Sequence, residues 1–332
     1  MKKTMLLVLV AIFGVLAQSY AQHTYFHKDA IAVYQKAKTI GTQGIIDGYT
    51  TRDVVDRILS LYKATSKSDP RIHTAWINQA IAYATLQRYD SALLSLSQGL
   101  KNCEAKDDRA ETFLYRGYIE EESGHVDLAN KSYDSALAIY NADPFRNTVK
   151  IMRVWEATLA RKGLDVATEY LRSEMAAGGM DSIEVHIFKD LMTTPAAKGM
   201  GRPKYIHSKA CGATLVSPRE MNDIRMVYNF YESFVKEFAK PSQDSVEILK
   251  NKFLTPALLD KIKGDNGLIM NLSAEELKKH DYGGIGIRVM DKGRLYKVAY
   301  YQARKEFRRA VVVHLTDQGD RILIDEIKPL DL

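Results

Sequence analysis

Cysteine is scarce in this chain: only Cys103 and Cys211 occur in 332 residues. They stand far apart, in what read as different domains, so no disulfide framework is needed for stability and two buried or spare thiols are expected. Long apolar runs are missing as well. Beyond the first stretch no 18 consecutive apolar residues occur, so nothing downstream is expected to span a membrane. Charge of one sign is not concentrated either, since 47 Lys and Arg oppose 41 Asp and Glu, a formal +6 scattered along the chain. That gives little support to a polyanion partner, and no nucleic acid is expected. Metal-ligand sets are absent by spacing. His207 and Cys211 stand four apart, as do His23 and His27, but a site needs three or four ligands and no others cluster near either pair in sequence. No metal and no cofactor are therefore expected.

What is present begins with "MKKTMLLVLVAIFGVLAQSYAQ", where two lysines precede an apolar run from Met5 to Ala17 and small residues follow at Ser19 and Ala21. That is the order of a secretory signal, with cleavage expected after Ala21. The run falls short of the roughly 20 apolar residues of a spanning helix. A periplasmic or secreted location is the expectation. Loss of Lys2 and Lys3 takes the charge from +6 to +4. About 310 residues remain, room for two domains that each bury a core.

From about 70 to 175 the apolar residues recur at three and four, the helical period. Two stretches there share one internal spacing at an offset of 37 residues. The first has Trp76, Ala80, Tyr83, Tyr89, Ala92, Leu96 and Gly99, and the second Phe113, Gly117, Glu120, Val126, Ala129, Tyr133 and Ala136. This pattern resembles the tetratricopeptide repeat, a helix-turn-helix unit of about 34 residues. Glycine and alanine inside good helix patterns then have a reason. Gly117 and Ala129 mark the closest approach of two helices, and Gly124 in "SGH" ends the first of them with a left-handed residue. Downstream, Ile151, Leu164, Ala167 and Leu171 continue the spacing, but Trp155 and Glu174 stand where small residues are expected. The third unit reads as degenerate or as a cap. Upstream, Thr50 and Asp53 read as a capping pair that opens a helix.

The resemblance implies a concave groove lined by the first helix of each pair. Ile77, Ile81 and Ala84 would line it in one unit, and Leu114, Tyr118 and Glu121 in the next. The lysines, arginines and asparagines with which one subclass clamps a peptide carboxylate are missing. The run Glu120, Glu121 and Glu122 reads as a solvated face.

Between 176 and 216 the period is lost in "AAGGM", "TTPAAKGMGRPKY" and "ACGATLVSP", which puts a domain boundary near 200. A long amphipathic helix follows in "EMNDIRMVYNFYESFVKEFAK", then one or two more around Pro256. The pattern then turns to strands: "GGIGIRVM", "RLYKVAYY", "EFRRAVVVHLT" and "RILIDEIK", with turns at "DKG" and "DQGD". "GGIGIR" is not a dinucleotide fingerprint, because it leads into strand and not helix. Helices followed by a meandering antiparallel sheet are an α+β pattern. This half resembles the NTF2-like cone families of exported bacterial proteins. The resemblance implies a pocket, with Asp281, Tyr282, Tyr300 and His314 as its candidates. Strand alternation puts Phe307, Val311, Val313 and Leu315 on one face and His314 on the other, so His314 is expected to turn away and a catalytic pair is hard to assemble. The eight basic residues Arg288, Lys292, Arg294, Lys297, Arg304, Lys305, Arg308 and Arg309 read as a solvated hairpin.

The expected organisation is a signal at 1–21, a helical domain at 22–198 with capping helices, a linker at 199–218 and an α+β domain at 219–332. The expected function is a non-enzymatic interaction protein whose helical scaffold binds a protein or peptide partner. The alternatives are a small-molecule binder or enzyme using the cone pocket, or an immunity or inhibitor protein.

Overall fold

Helical periodicity upstream and two-residue alternation downstream become two units, divided between Leu215 and Val216. The computed structural model describes residues 26–142, 147–197, 201–238, 244–262, 265–271, 282–290, 293–302 and 305–331. The expected signal lies outside the described residues. So do Asp281 and His23.

The first unit is built from helices α1 (Lys28–Gly44), α2 (Arg52–Ser68), α3 (His73–Thr85), α4 (Tyr89–Asn102), α5 (Lys106–Glu122), α6 (Val126–Ala142), α7 (Thr148–Lys162), α8 (Leu164–Ala176), α9 (Ser182–Ala197) and α10 (Arg202–Cys211). Successive helices pair as hairpins, α3 with α4, α5 with α6 and α7 with α8, and each hairpin packs on the next. On α5 the buried residues Ala110, Leu114, Gly117 and Tyr118 recur at four, three and one, which lays one stripe along the helix. Gly124 adopts φ +88° after α5, and the His125 amide donates to the Glu120 carbonyl at 2.7 Å. The helix ends there and the chain reverses into α6. Gly163, at φ +90°, ends α7 and opens α8. Thr50 does not cap α2: the N-cap is Thr51, without a side-chain cap bond, and the Thr50 hydroxyl donates instead to the Gly44 carbonyl at 3.1 Å.

The stretch expected as linker holds a helix. Breaker residues bracket α10 and do not interrupt it: Pro203 stands in the first turn, where a missing N–H costs nothing, and Gly212 follows at φ +66°. After it, strand β2 (Thr214–Leu215) pairs in parallel with β1 (Tyr49–Thr50). Residues 202–215 therefore belong to the first unit.

In the second unit α11 (Pro218–Phe238), α12 (Asp244–Phe253), α13 (Pro256–Lys261) and α14 (Gly267–Met270) precede β3 (Tyr282–Val289), β4 (Leu295–Gln302), β5 (Lys305–Gln318) and β6 (Arg321–Asp331). The sheet is an antiparallel meander in the order β3-β4-β5-β6. Its inner face carries Ile285, Ile287, Tyr296, Val298, Val311, Val313 and Leu315, all buried together with Phe230, Tyr231 and Phe234 of α11. Arg294 is no part of a solvated hairpin. Its guanidinium forks onto Asp223 of α11 at 2.6 and 2.9 Å and reaches Asp317 at 2.8 Å. Asp223 is 1% exposed, so it draws the nearest cation inward.

Candidate functional site

The faces of α3, α5 and α7 line one side of the first unit, and α10 lies against all three. Leu114, Tyr118 and Ala84 have no exposed surface, and Ile77 has almost none. The expected groove positions are therefore covered by the chain's own residues. Tyr205 of α10 is the aromatic anchor: its ring meets Tyr118 edge-on at 6.3 Å and Trp155 of α7 at 6.4 Å. This accounts for a tryptophan where the repeat spacing expects a small residue. Trp155 fills the space beside an inserted helix. At the far end the Thr85 hydroxyl bonds the carbonyl of Cys211, and a Cβ at Gly212 would stand 2.9 Å from Ile81.

The acids on α5 are engaged, contrary to the solvated face expected of them. Glu120 is buried and accepts from Arg116 at 2.8 Å and from Ser132 at 2.6 Å. Glu121 accepts from Arg202 at 2.8 Å and from the Tyr133 hydroxyl at 3.1 Å. Glu122 meets His207 at 2.7 Å. The reason is tertiary, because α6 covers one flank of α5 and α10 the other. Arg202 also donates to the Ala160 carbonyl at 2.6 Å, which ties α10 to both α5 and α7.

Below this contact lies a set of charges that sequence reading did not join. His73 bridges Asp108 at 3.1 Å and Glu111 at 3.2 Å. Arg153 joins Glu111 to Glu156, and Lys209 of α10 closes the chain on Glu156. Burial opposes the imidazolium, but the hydrogen bonds it donates to Asp108 and Glu111 outweigh that cost and carry His73 up to about 9. Burial likewise opposes the Glu111 carboxylate, and Arg153, followed by His73, holds it down at about 2. Against the same cost of burial, Lys209 and Arg153 keep Glu156 below its ordinary value. The face of α3, α5 and α7 is thus acidic, and α10 brings Arg202, His207 and Lys209 to meet it. No family model matches the chain, and no curated protein matches it in sequence.

The alternative pocket is not assembled among the described residues. Tyr300 is fully buried in the second core, 6.3 Å from the Tyr231 ring. Of Tyr282 the backbone in β3 is described and the side chain is not. His314 turns away from that core, as alternation on β5 requires, and its Nδ1 pairs with Asp325 at 2.6 Å. Both cysteines are free, Cys103 half-buried and Cys211 buried. Only one signal could have exposed the α10 contact in advance: a short run with basic residues at 202, 204, 207 and 209 set between breakers. Its target lies about 80 residues away in sequence for Glu121, so local pattern could not name it.

Proposed function

We propose that this is an exported, non-enzymatic interaction protein. Its tetratricopeptide-like scaffold binds a basic amphipathic helix of a protein partner, and an NTF2-like domain accompanies it. The observation that carries the reading is α10 itself. A short helix with a central tyrosine and flanking cations lies on the groove face, and each of its charged contacts meets an acid of that face. This is helix-in-groove recognition, with side chains on one helix face acting as anchors. In the resting chain the ligand is intramolecular, at an effective concentration on the order of millimolar. A partner must compete with it.

The test uses a fluorescent peptide of residues 201–216 and the mature chain. Tyr205→Ala should loosen α10, since losing a buried aromatic anchor commonly costs more than about 1 kcal/mol. The peptide should then bind the Tyr205→Ala chain at least tenfold more tightly than wild type, and Glu121→Lys in the same background should abolish the gain. Equal binding by both chains would sink the reading. So would loss of cooperative unfolding in Tyr205→Ala, which would make α10 a part of the core and no ligand. Export is checked by intact mass of the protein recovered from the cell envelope, expected to begin at Gln22.

A further inference from the structure

Glu122 closes α5, while His207 and Cys211 stand four apart on α10 and so share one helix face. The packing of α10 on α5 brings a carboxylate, an imidazole and a thiol together. One donor atom of each lies within 4.8 Å of the others. Sequence spacing supplied two of these groups, and the fold adds the third from 85 residues away. The surroundings suit an ion. Cys211 forms a buried floor, Glu122 is one-fifth exposed, and His207 opens half its side chain to solvent. Cys211 Sγ makes a long contact of 3.8 Å to the Ala84 carbonyl and a hydrogen bond with the Tyr89 side chain.

We propose that Glu122, His207 and Cys211 form a binding site for a borderline-soft divalent cation, with zinc the best match. One sulfur, one nitrogen and one oxygen donor are a zinc-type set, and three protein ligands leave the fourth tetrahedral position to water. Calcium and magnesium demand oxygen donors throughout and are poorly served here. Burial, and after it the charge of Glu122, pushes the Cys211 thiol up to about 12. A dication among the three donors reverses the second cause. The S–H bond then breaks, the sulfur pair binds the ion and the proton leaves to solvent. Because the ligands come from the groove wall and from the helix lying on it, the ion fastens α10 in its seat. The site does not depend on any partner, so it stands or falls apart from the peptide reading.

The probe is Co²⁺ added to the reduced, mature full-length chain, read by absorption. One Co²⁺ per chain should bind with a thiolate-to-cobalt charge-transfer band and the intense visible bands of tetrahedral cobalt, and Zn²⁺ should bleach both. Cys211→Ser should remove the charge-transfer band, and Cys103→Ser should leave it. Glu122→Gln and His207→Ala should each weaken binding at least tenfold. His207 is half-exposed, so that variant keeps the test valid even if Cys211→Ser folds poorly. Folded wild-type chain without a thiolate band, or a band lost with Cys103→Ser and retained with Cys211→Ser, overturns the proposal.

Discussion

Gly117 offers the sharpest test of the helical packing, because local and tertiary physics disagree about the sign of one substitution. In an isolated helix Gly→Ala gains up to about 1 kcal/mol, since alanine loses less backbone freedom on ordering. In this chain a Cβ at Gly117 would stand 2.3 Å from Cε1 and 2.5 Å from Cδ1 of Tyr133. No pair of carbons tolerates that separation, so α5 and α6 must part or the ring must move. The ring is not free to move. Tyr133 is fully buried, its hydroxyl donates to Glu121 at 3.1 Å, and it packs on Tyr118 with centroids 5.8 Å apart. Overpacking of this kind costs about 1–3 kcal/mol. After the propensity gain, Gly117→Ala should lower stability by up to about 2 kcal/mol. Gly41, in the last turn of α1, is the matched control: a Cβ there meets nothing within 4 Å, so Gly41→Ala should be neutral or gain up to about 1 kcal/mol. Urea titration followed by tryptophan fluorescence reads the first unit alone, because Trp76 and Trp155 are the chain's two tryptophans and both lie in it. A Gly117→Ala midpoint at or above wild type would refute the close α5–α6 approach.

The remaining predictions follow from buried charge. His73 is carried from 6.5 to about 9 in the fold, so its stabilisation is complete below about pH 6.5 and is lost as pH rises through about 9, on the order of 3 kcal/mol. The alkaline decline of the urea midpoint should flatten in His73→Gln, and an unchanged profile would reject the His73–Glu111 link. Glu111, held down from 4.5 to about 2, stabilises above about pH 4.5 and loses that contribution as pH falls towards 2, so Glu111→Gln should flatten the acid limb. Arg153→Met leaves Glu111 and Glu156 buried without their shared cation and should cost about 3–5 kcal/mol. Arg172→Met, which breaks an exposed pair with Glu169, should change the midpoint hardly at all, by under about 1 kcal/mol. In the second unit Arg294→Ala strips the cation from Asp223 and should lower the calorimetric transition by an amount equivalent to about 3 kcal/mol, where a shift no larger than that of an exposed lysine would count against the buried pair.

Local chemistry decided much of this protein before any long-range contact formed. The spacing of Trp76, Ala80 and Tyr83 and of Phe113, Gly117 and Glu120 carries the hairpins, because the helical period and the need for small residues at close contacts are properties of neighbours in sequence. The alternation of Val311, Val313 and Leu315 against His314 set the inner face of β5 in the same way. The turns at Gly124 and Gly163 follow from what glycine alone adopts cheaply. Partnership between distant groups has no such local trace. Glu121 could not reveal Arg202, nor Asp223 reveal Arg294, because a charge reads as solvated until a second element excludes water from it. The same holds for α10. Its breakers and cations look like a linker in sequence, and only the acidic, aromatic face of α3, α5 and α7 makes it a helix with one buried face, with Glu122, His207 and Cys211 brought to one point.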